Sequence, residues 1–257
     1  RELLPKSTVM MGVPTYYVRL LADPKFGEND VQSIRVFISG SAPLLAETFE
    51  QFEVLTGHRI LERYGMTETN MNTSNPLVGE RKPGTVGPPL PGVSVRVVGA
   101  DGKNLELGEI GDLQVKGDNV FQKYWQLPEK TAEAFTEDGY FDTGDKALIE
   151  ADGYVSIVGR EKDMIISGGL NVYPKEIELL VDKWPGVVES AVIGVPHPDF
   201  GEAVVAVVVL EAGSELDEKA VAASLKESLA NFKLPKRLMV INELPRNSMG
   251  KVGKAGL

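Results

Sequence analysis

The chain has 257 residues, and its 27 Lys and Arg against 37 Asp and Glu give a formal net charge of −10. This balance argues against nucleic acid as a partner, because duplex-binding proteins neutralise phosphates with basic residues. The absence of cysteine excludes disulfides and thiolate chemistry, and two histidines exclude a histidine-rich metal site. Because no apolar run approaches the ~18 residues of a membrane span and no secretory signal opens the chain, we expect a cytoplasmic protein with no membrane partner.

Residues 1–82 alternate short apolar strands with amphipathic helices. Strands are predicted at 8–13, 34–38 and 59–64, and helices follow the first two of them at 14–21 and 45–56. Pro14 suits the first turn of a helix, and Gly57 suits the end of one. This rhythm predicts an α/β fold with a parallel sheet, in which ligands bind at the carboxyl ends of the strands.

The character of the sequence changes twice after this region. Residues 83–161 are rich in Gly and Pro, alternate with a period of two at 93–97, and carry Asp-Gly turns at 101–102 and 152–153. We expect a small antiparallel β-barrel there. Helical stripes and apolar strands then alternate, which predicts a small α+β domain over 162–257.

Two polar stretches follow predicted strands or turns. Residues 64–69, Tyr-Gly-Met-Thr-Glu-Thr, offer an aromatic face for a base, a hydroxyl for phosphate and a carboxylate for a divalent cation. In the turn at 141–145, Asp145 suits a ribose, since a carboxylate accepts two hydrogen bonds at once. The alternative interpretations are a polar strand end and an Asp-rich structural turn.

Three more polar stretches lie further along the chain. Arg160 and Lys162 belong to a charged cluster at the predicted domain junction, and the double glycine at 168–169 permits close backbone approach to a ligand. Gly250 and Lys251 lie in a loop near the end, without the flanking residues of a phosphate-cradling motif. A solvated charge cluster and an exposed lysine are the alternatives.

These stretches occur in the order and spacing of one family. Residues 64–68, 143–145, 159–160, 168–169 and 250–251 resemble the signatures of the adenylate-forming superfamily, which includes acyl-CoA synthetases, peptide-synthetase adenylation domains and beetle luciferases. Residues 62–73, 195–202 and 245–247 resemble its malonyl-CoA synthetase branch. The resemblance covers essentially the whole chain and implies an acetyl-CoA synthetase-like fold, of which this chain is the C-terminal half.

The resemblance implies a reaction in two halves. A carboxylate attacks the α-phosphate of ATP to give an acyl-adenylate and pyrophosphate, and coenzyme A then displaces AMP. The implied acid is malonate or methylmalonate, with Mg²⁺ accompanying ATP and the missing N-terminal half as the partner, so we expect the chain by itself to be inactive. The alternatives are a ligase for another medium-chain or aryl acid and a non-catalytic fragment or interaction module.

The family's motifs also imply roles for single residues. Lys251 and Thr67 are the expected catalytic residues, Glu68 the Mg²⁺ ligand and Lys162 the hinge. The expected nucleotide contacts are Ser41, Ala42, Pro43, Glu62, Arg63, Tyr64, Gly65, Met66, Thr67, Asp145, Arg160, Asn171 and Lys251. Gly168 and Gly169 are expected along the pantetheine channel. Arg19, Ser41 and Met71 are expected around the acid, with Arg63 as the rival of Arg19 for its second carboxylate.

Overall fold

The structure is a computed structural model that describes residues 1–247 and 252–257. It divides into two compact units, Arg1–Ile157 and Val158–Leu257. The expected division into domains 1–82, 83–161 and 162–257 remains a prediction. Residues 248–251, which include Lys251, lie outside the described part.

The first sheet of the first unit contains the predicted parallel strands. Its four strands, in the spatial order β1-β2-β3-β4, are β1 (Val9–Gly12), β2 (Val36–Ser39), β3 (Leu61–Met66) and β4 (Asn70–Ser74). The first three strands are parallel, and β4 returns antiparallel to β3. The helices are α1 (Pro14–Leu21), α2 (Glu28–Val31) and α3 (Ala46–Thr56). As predicted, Pro14 opens α1, and α3 ends at Gly57, whose φ of 72° is left-handed.

The core of this sheet is aromatic. The fully buried rings of Tyr17 on α1, Phe37 on β2 and Phe52 on α3 meet edge to face, with centroids 4.8 to 6.4 Å apart. The Tyr17 hydroxyl donates to the carbonyl of Ile38 at 2.6 Å, which satisfies its only polar atom. These contacts fix α1 and α3 against the strands that carry the polar motifs.

The second sheet is antiparallel, as expected for residues 83–161. Its strands follow chain order, β5 (Val93–Val98), β6 (Gly111–Gly117), β7 (Phe141–Ile149) and β8 (Val155–Arg160), and α4 (Pro128–Ala134) lies between β6 and β7 in sequence. Within the described residues this path of four strands does not close on itself. The expected small barrel is therefore an open sheet.

The second unit is built on a five-stranded sheet in the order β10-β9-β12-β11, with β13 parallel to β12. The strands are β9 (Ile165–Ser167), β10 (Leu170–Val172), β11 (Val187–His197), β12 (Gly201–Leu210) and β13 (Arg237–Ile241), and the helices are α5 (Pro174–Val181) and α6 (Glu218–Ser228). The longest apolar run of the sequence becomes the central strand β12, because both of its faces are covered. The mixture of parallel and antiparallel sheets confirms the predicted α/β class. Across residues 1–247 and 252–257, no helix combines the length and the apolarity needed to cross a bilayer.

Candidate functional site

Two of the predicted nucleotide motifs lie at the same edge of the first sheet. In the parallel register Ile38 pairs with Leu61 and Ser39 with Glu62, so the segment 40–43 after β2 lies beside the end of β3. Ser41, Ala42 and Pro43 are exposed there, and Ser41 has a left-handed φ of 68°. The carboxyl end of a parallel sheet is the usual ligand edge of such folds.

The buried carboxyl of Glu62 connects two backbone segments at this edge of the sheet. Its side chain is buried, and its Oε2 accepts a hydrogen bond from the backbone N–H of Leu44 at 3.4 Å. The backbone N–H of Gly84 also donates to this carboxyl, while Oε1 has no partner among the described residues. Burial raises the pKa of Glu62 to about 8, against the lowering effect of the two N–H donors. Glu62 therefore holds the segment after β2 through the backbone of Leu44.

Asn75 extends this buried network to the segment 82–85. Its side-chain Nδ2 donates to the carbonyls of Thr85 at 2.8 Å and Glu62 at 3.3 Å, and its Oδ1 accepts from the N–H of Lys82 at 3.0 Å. Sequence reasoning missed both Asn75 and the partners of Glu62. The only signal for Asn75 was its place before Pro76, which indicates a turn and nothing more.

Tyr64 and Asp145, expected from separate motifs to bind the nucleoside, are in direct contact. The Tyr64 hydroxyl donates to Asp145 Oδ2 at 2.5 Å. Asp145 is buried on β7, where its backbone N–H donates to Thr143 Oγ1 at 3.1 Å, and that hydroxyl donates to the carbonyl of Leu113 at 2.7 Å. Tyr64 thus orients the carboxylate, and Thr143 holds the backbone that carries it.

The loop that joins β3 to β4 carries Thr67 and Glu68. A side chain at Gly65 would overlap the backbone of Asn70, because a bulge between Tyr64 and Gly65 brings the two strands close. Thr67 is exposed, and the Tyr124 hydroxyl donates to Glu68 Oε1 at 3.3 Å. Burial, followed by the charge of Glu68, raises the pKa of Tyr124.

The side chain of Asn119 holds the end of this loop and the start of β4 through hydrogen bonds. Its Nδ2 lies 2.7 Å from the carbonyl of Thr69, 3.2 Å from that of Met71 and 3.0 Å from Asn72 Oδ1. Sequence reasoning missed Asn119 and Tyr124, since both lie in a connection that carries no motif. Strand β3 continues two residues past the predicted end at Tyr64 and so includes Gly65 and Met66, and Met71 lies on β4.

The two arginines considered for the acid lie in different places. Arg63 is on β3, where its backbone and Cγ border Gly40, and its Nη2 is 3.6 Å from Met11 Sδ on β1. Arg19 is exposed on α1 and lines a shallow groove with Arg1 and Met10. The structure therefore places Arg63, rather than Arg19, beside the segment that carries Ser41.

The other predicted residues that the structure describes lie in the second unit. Arg160 ends β8, and Lys162 is exposed in a single helical turn, Glu161–Asp163. Gly168 and Gly169 form the exposed turn between β9 and β10, with φ of 60° and 78°, and Asn171 is exposed on β10. Glycine adopts such left-handed conformations at the least cost, so a pair of glycines suits two of them in succession.

Comparison with known proteins agrees with this arrangement. The profile of the AMP-binding enzyme family matches residues 5–125, and that of the AMP-binding enzyme C-terminal domain matches residues 176–251. The chain belongs to the AMP-binding enzyme family. The first profile thus spans the first sheet and strands β5 and β6, and the second profile lies within the second unit.

Individual members of the AMP-binding enzyme family are also similar to the chain. It is 43% identical to the probable CoA ligase CCL8 of Humulus lupulus and 42% identical to a malonate–CoA ligase of Arabidopsis thaliana, in each case over 97% of this chain and 44% of the relative. It superposes on ATP-bound MatB from Rhodopseudomonas palustris with a TM-score of 0.96 and 57% identity, over 99% of this chain and 51% of that one. The chain thus spans about half the length of the relatives it matches.

Proposed function

We propose that this chain is part of an enzyme that joins malonate or methylmalonate to coenzyme A through an acyl-adenylate, with AMP and pyrophosphate as products. The observation that carries the proposal is the hydrogen bond from Tyr64 to Asp145, which joins two of the nucleotide motifs within the first unit, in a chain similar to malonate–CoA ligases. The chemical difficulty of the first half-reaction is the approach of two anions. Enzymes solve it by placing cations and hydrogen-bond donors around the phosphate.

The first unit supplies a nucleoside site. The exposed segment 41–43 and the ring of Tyr64 provide flat and apolar surface for adenine, and Glu62 fixes that segment through Leu44. Asp145 accepts hydrogen bonds from the ribose hydroxyls, with its orientation set by Tyr64. Arg160 and Asn171 complete the ribose contacts in this proposal.

The residues of the β3–β4 loop fit Mg²⁺ carried by ATP. In the part of the chain that the structure describes, no group of three or more His, Asp or Glu side chains is arranged to hold a metal ion. A single carboxylate suffices for Mg²⁺, which keeps several waters and takes its other ligands from phosphate oxygens. Glu68 would hold the ion, which when bound neutralises phosphate charge, and Thr67 would donate its hydroxyl to the α-phosphate.

The second unit supplies the remaining groups. Lys251 places a cation at the transferring phosphate and the carboxylate during adenylation, and Gly168 and Gly169 let the pantetheine arm of coenzyme A pass close to the backbone. Lys162 is the hinge in this proposal. Each of these roles follows from the family's motifs.

Two half-reactions measured separately on the full-length enzyme test this division. Lys251→Ala is expected to reduce adenylation by about a thousandfold or more, because a catalytic cation is lost. Thioester formation from preformed acyl-adenylate is expected to persist. Lys226→Ala, on the last turn of α6, is the matched control and is expected to change neither rate. Equal losses in both half-reactions for Lys251→Ala would contradict the assigned role.

The second carboxylate of malonate requires a cation, for which Arg19 and Arg63 are the two candidates. Their substitutions distinguish the two assignments. If Arg19 binds this carboxylate, Arg19→Leu is the disruptive change, whereas the position of Arg63 beside Gly40 favours Arg63→Leu. Substitution of the arginine that binds this carboxylate should raise KM for malonate by about tenfold or more and leave KM for ATP within a factor of two. Arg63→Leu raising KM for ATP alone would assign Arg63 to the adenine side instead.

A panel of carboxylic acids separates the remaining alternatives. CoA-dependent pyrophosphate release should be fastest with malonate or methylmalonate, and faster release with a medium-chain or aryl acid would change the substrate. The absence of release with every acid in the full-length protein would favour a non-catalytic module of the same fold.

A further inference from the structure

A partly buried ion pair fastens the segment 252–257 to the rest of the second unit. Lys254 Nζ is 2.6 Å from Glu178 Oε1 on α5 and donates to the carbonyl of Val192 on β11 at 3.1 Å. The Glu178 side chain is 9% exposed, and its Oε1 also accepts from the backbone N–H of Val192 at 2.9 Å. Glu178 therefore joins three parts of the unit: α5, β11 and the segment 252–257.

A second set of contacts fixes the same segment beside it. Arg246 and Val252 form an antiparallel bridge, and the N–H of Gly253 donates to the carbonyl of Pro245 at 2.8 Å. The Arg246 guanidinium also pairs with Glu189 on β11. Val252 packs against the cluster that contains Leu244, so the chain on either side of residues 247–251 is attached to the same sheet.

The ion pair of Glu178 and Lys254, here called the clamp, lies close in sequence to the lysine expected to act in adenylation. Lys251 directly precedes Val252, and Lys254 follows three residues later. A reacting group displaced by about 1 Å loses on the order of a hundredfold in rate, even when the change is remote from the chemistry. Removal of Lys254 leaves the buried carboxylate of Glu178 without the nearer of two lysines, and an under-compensated buried charge is costly.

We propose that Glu178 and Lys254 are positioning residues for adenylation, which hold the backbone that follows Lys251 in the place from which its amine acts. This inference rests on the proposed function, in which Lys251 is the adenylation cation. Neither side chain touches the substrate. Their contribution is to immobilise the segment that begins at Val252.

The test uses the full-length enzyme and follows the two half-reactions separately. Lys254→Leu is expected to lower the single-turnover rate of adenylation about 10- to 100-fold. KM for ATP and for the acid should stay within twofold, and thioester formation from preformed acyl-adenylate should be unchanged. Lys254→Arg restores a cation of similar reach and should recover most of the adenylation rate.

Lys175 provides the matched control. Its Nζ lies 3.9 Å from Glu178 Oε2, but both residues are on α5, so this pair does not reach the chain near Lys251. Lys175→Leu should therefore leave adenylation within twofold of wild type. Equal losses for Lys175→Leu and Lys254→Leu, or equal losses of Lys254→Leu in both half-reactions, would overturn the positioning role.

If Lys254→Leu does not fold, Glu178→Gln answers the same question, because the amide keeps an acceptor for Val192 and removes only the charge. It should lower adenylation about tenfold and increase backbone hydrogen exchange over residues 252–257. Wild-type rates in both assays overturn the inference. Wild-type enzyme that adenylates no acid refutes the proposed function instead, while the hydrogen-exchange readout still reports on the clamp.

Discussion

The hydroxyl of Tyr64 donates a 2.5 Å hydrogen bond to Oδ2 of Asp145, a residue 81 positions further along the chain. The two side chains belong to different sheets of the first unit, β3 in one and β7 in the other. Because Asp145 is buried and its backbone is held by Thr143, this bond fixes the direction in which the carboxylate presents its remaining acceptor sites. The contact therefore links the adenine and ribose parts of the proposed site.

Tyr64→Phe removes the donor and keeps the ring. We expect KM for ATP to rise about tenfold, equivalent to ~1.4 kcal/mol, since the carboxylate is no longer oriented toward the ribose. Steady-state kinetics of the full-length enzyme measure this change. Tyr154→Phe removes a comparable hydroxyl, which donates to the carbonyl of Glu80 at 2.8 Å, and should leave KM for ATP unchanged. An unchanged value in Tyr64→Phe would separate this bond from nucleotide binding.

The raised pKa of Glu62 predicts that the stability of the folded protein depends on pH. Burial raises the pKa of Glu62 in the folded protein to about 8 from its ordinary value of 4.5, so the folded state retains a proton that the unfolded state releases. The contribution of Glu62 is therefore most favourable below about pH 4.5, decreases as the pH rises to about 8, and is constant above that.

Glu62→Gln keeps the shape of the side chain and removes its titration. As the pH rises from 5 to 8, the free energy of unfolding of wild type should fall relative to that of this variant by on the order of several kcal/mol. Thermal or urea unfolding at both pH values measures this difference. Infrared difference spectra should show a protonated carboxyl near neutral pH in wild type that the variant lacks. The exposed Glu133→Gln is the control, and a parallel pH dependence in all three proteins would rule out the assignment.

Gly65→Ala tests the close approach of β3 and β4. The added methyl would overlap the backbone oxygen of Asn70, so the loop that carries Thr67 and Glu68 must move. We expect adenylation to fall more than tenfold, with a lower melting temperature. Gly27→Ala has no atom near the new methyl and an extended φ, and should behave as wild type. Wild-type activity in Gly65→Ala would show that the loop position is not critical.

Glu68→Gln tests the magnesium site. Loss of the charge should raise the Mg²⁺ concentration for half-maximal adenylation by about tenfold, while saturating Mg²⁺ restores much of the rate. A magnesium titration at fixed ATP measures this directly. Glu129→Gln, on the exposed helix α4, serves as the comparison. An unchanged magnesium requirement in Glu68→Gln would remove Glu68 from the site.

Local patterns predicted the elements of the fold well, and tertiary contacts set their limits. The helix from Pro14 and the end of α3 at Gly57 follow from the backbone preferences of proline and glycine. Strand β11 extends over Val187–His197, because pairing with β12 continues beyond the apolar residues of β11 as far as His197 and Gly201. The second sheet is open because its two end strands, β5 and β8, do not pair with each other among the described residues, which a period of two cannot reveal.

The sequence by itself determined the family, the order of the elements and the chemical types at the proposed site, because motif spacing and turn residues act locally along the chain. Only the tertiary structure decided that Glu62 accepts from Leu44, that Asn119 supports the loop after Thr69, and that Lys254 pairs with Glu178. These contacts depend on sheet register and on burial, which bring together residues that no local pattern connects. The loss of water around them makes each unpaired group costly and so selects one arrangement.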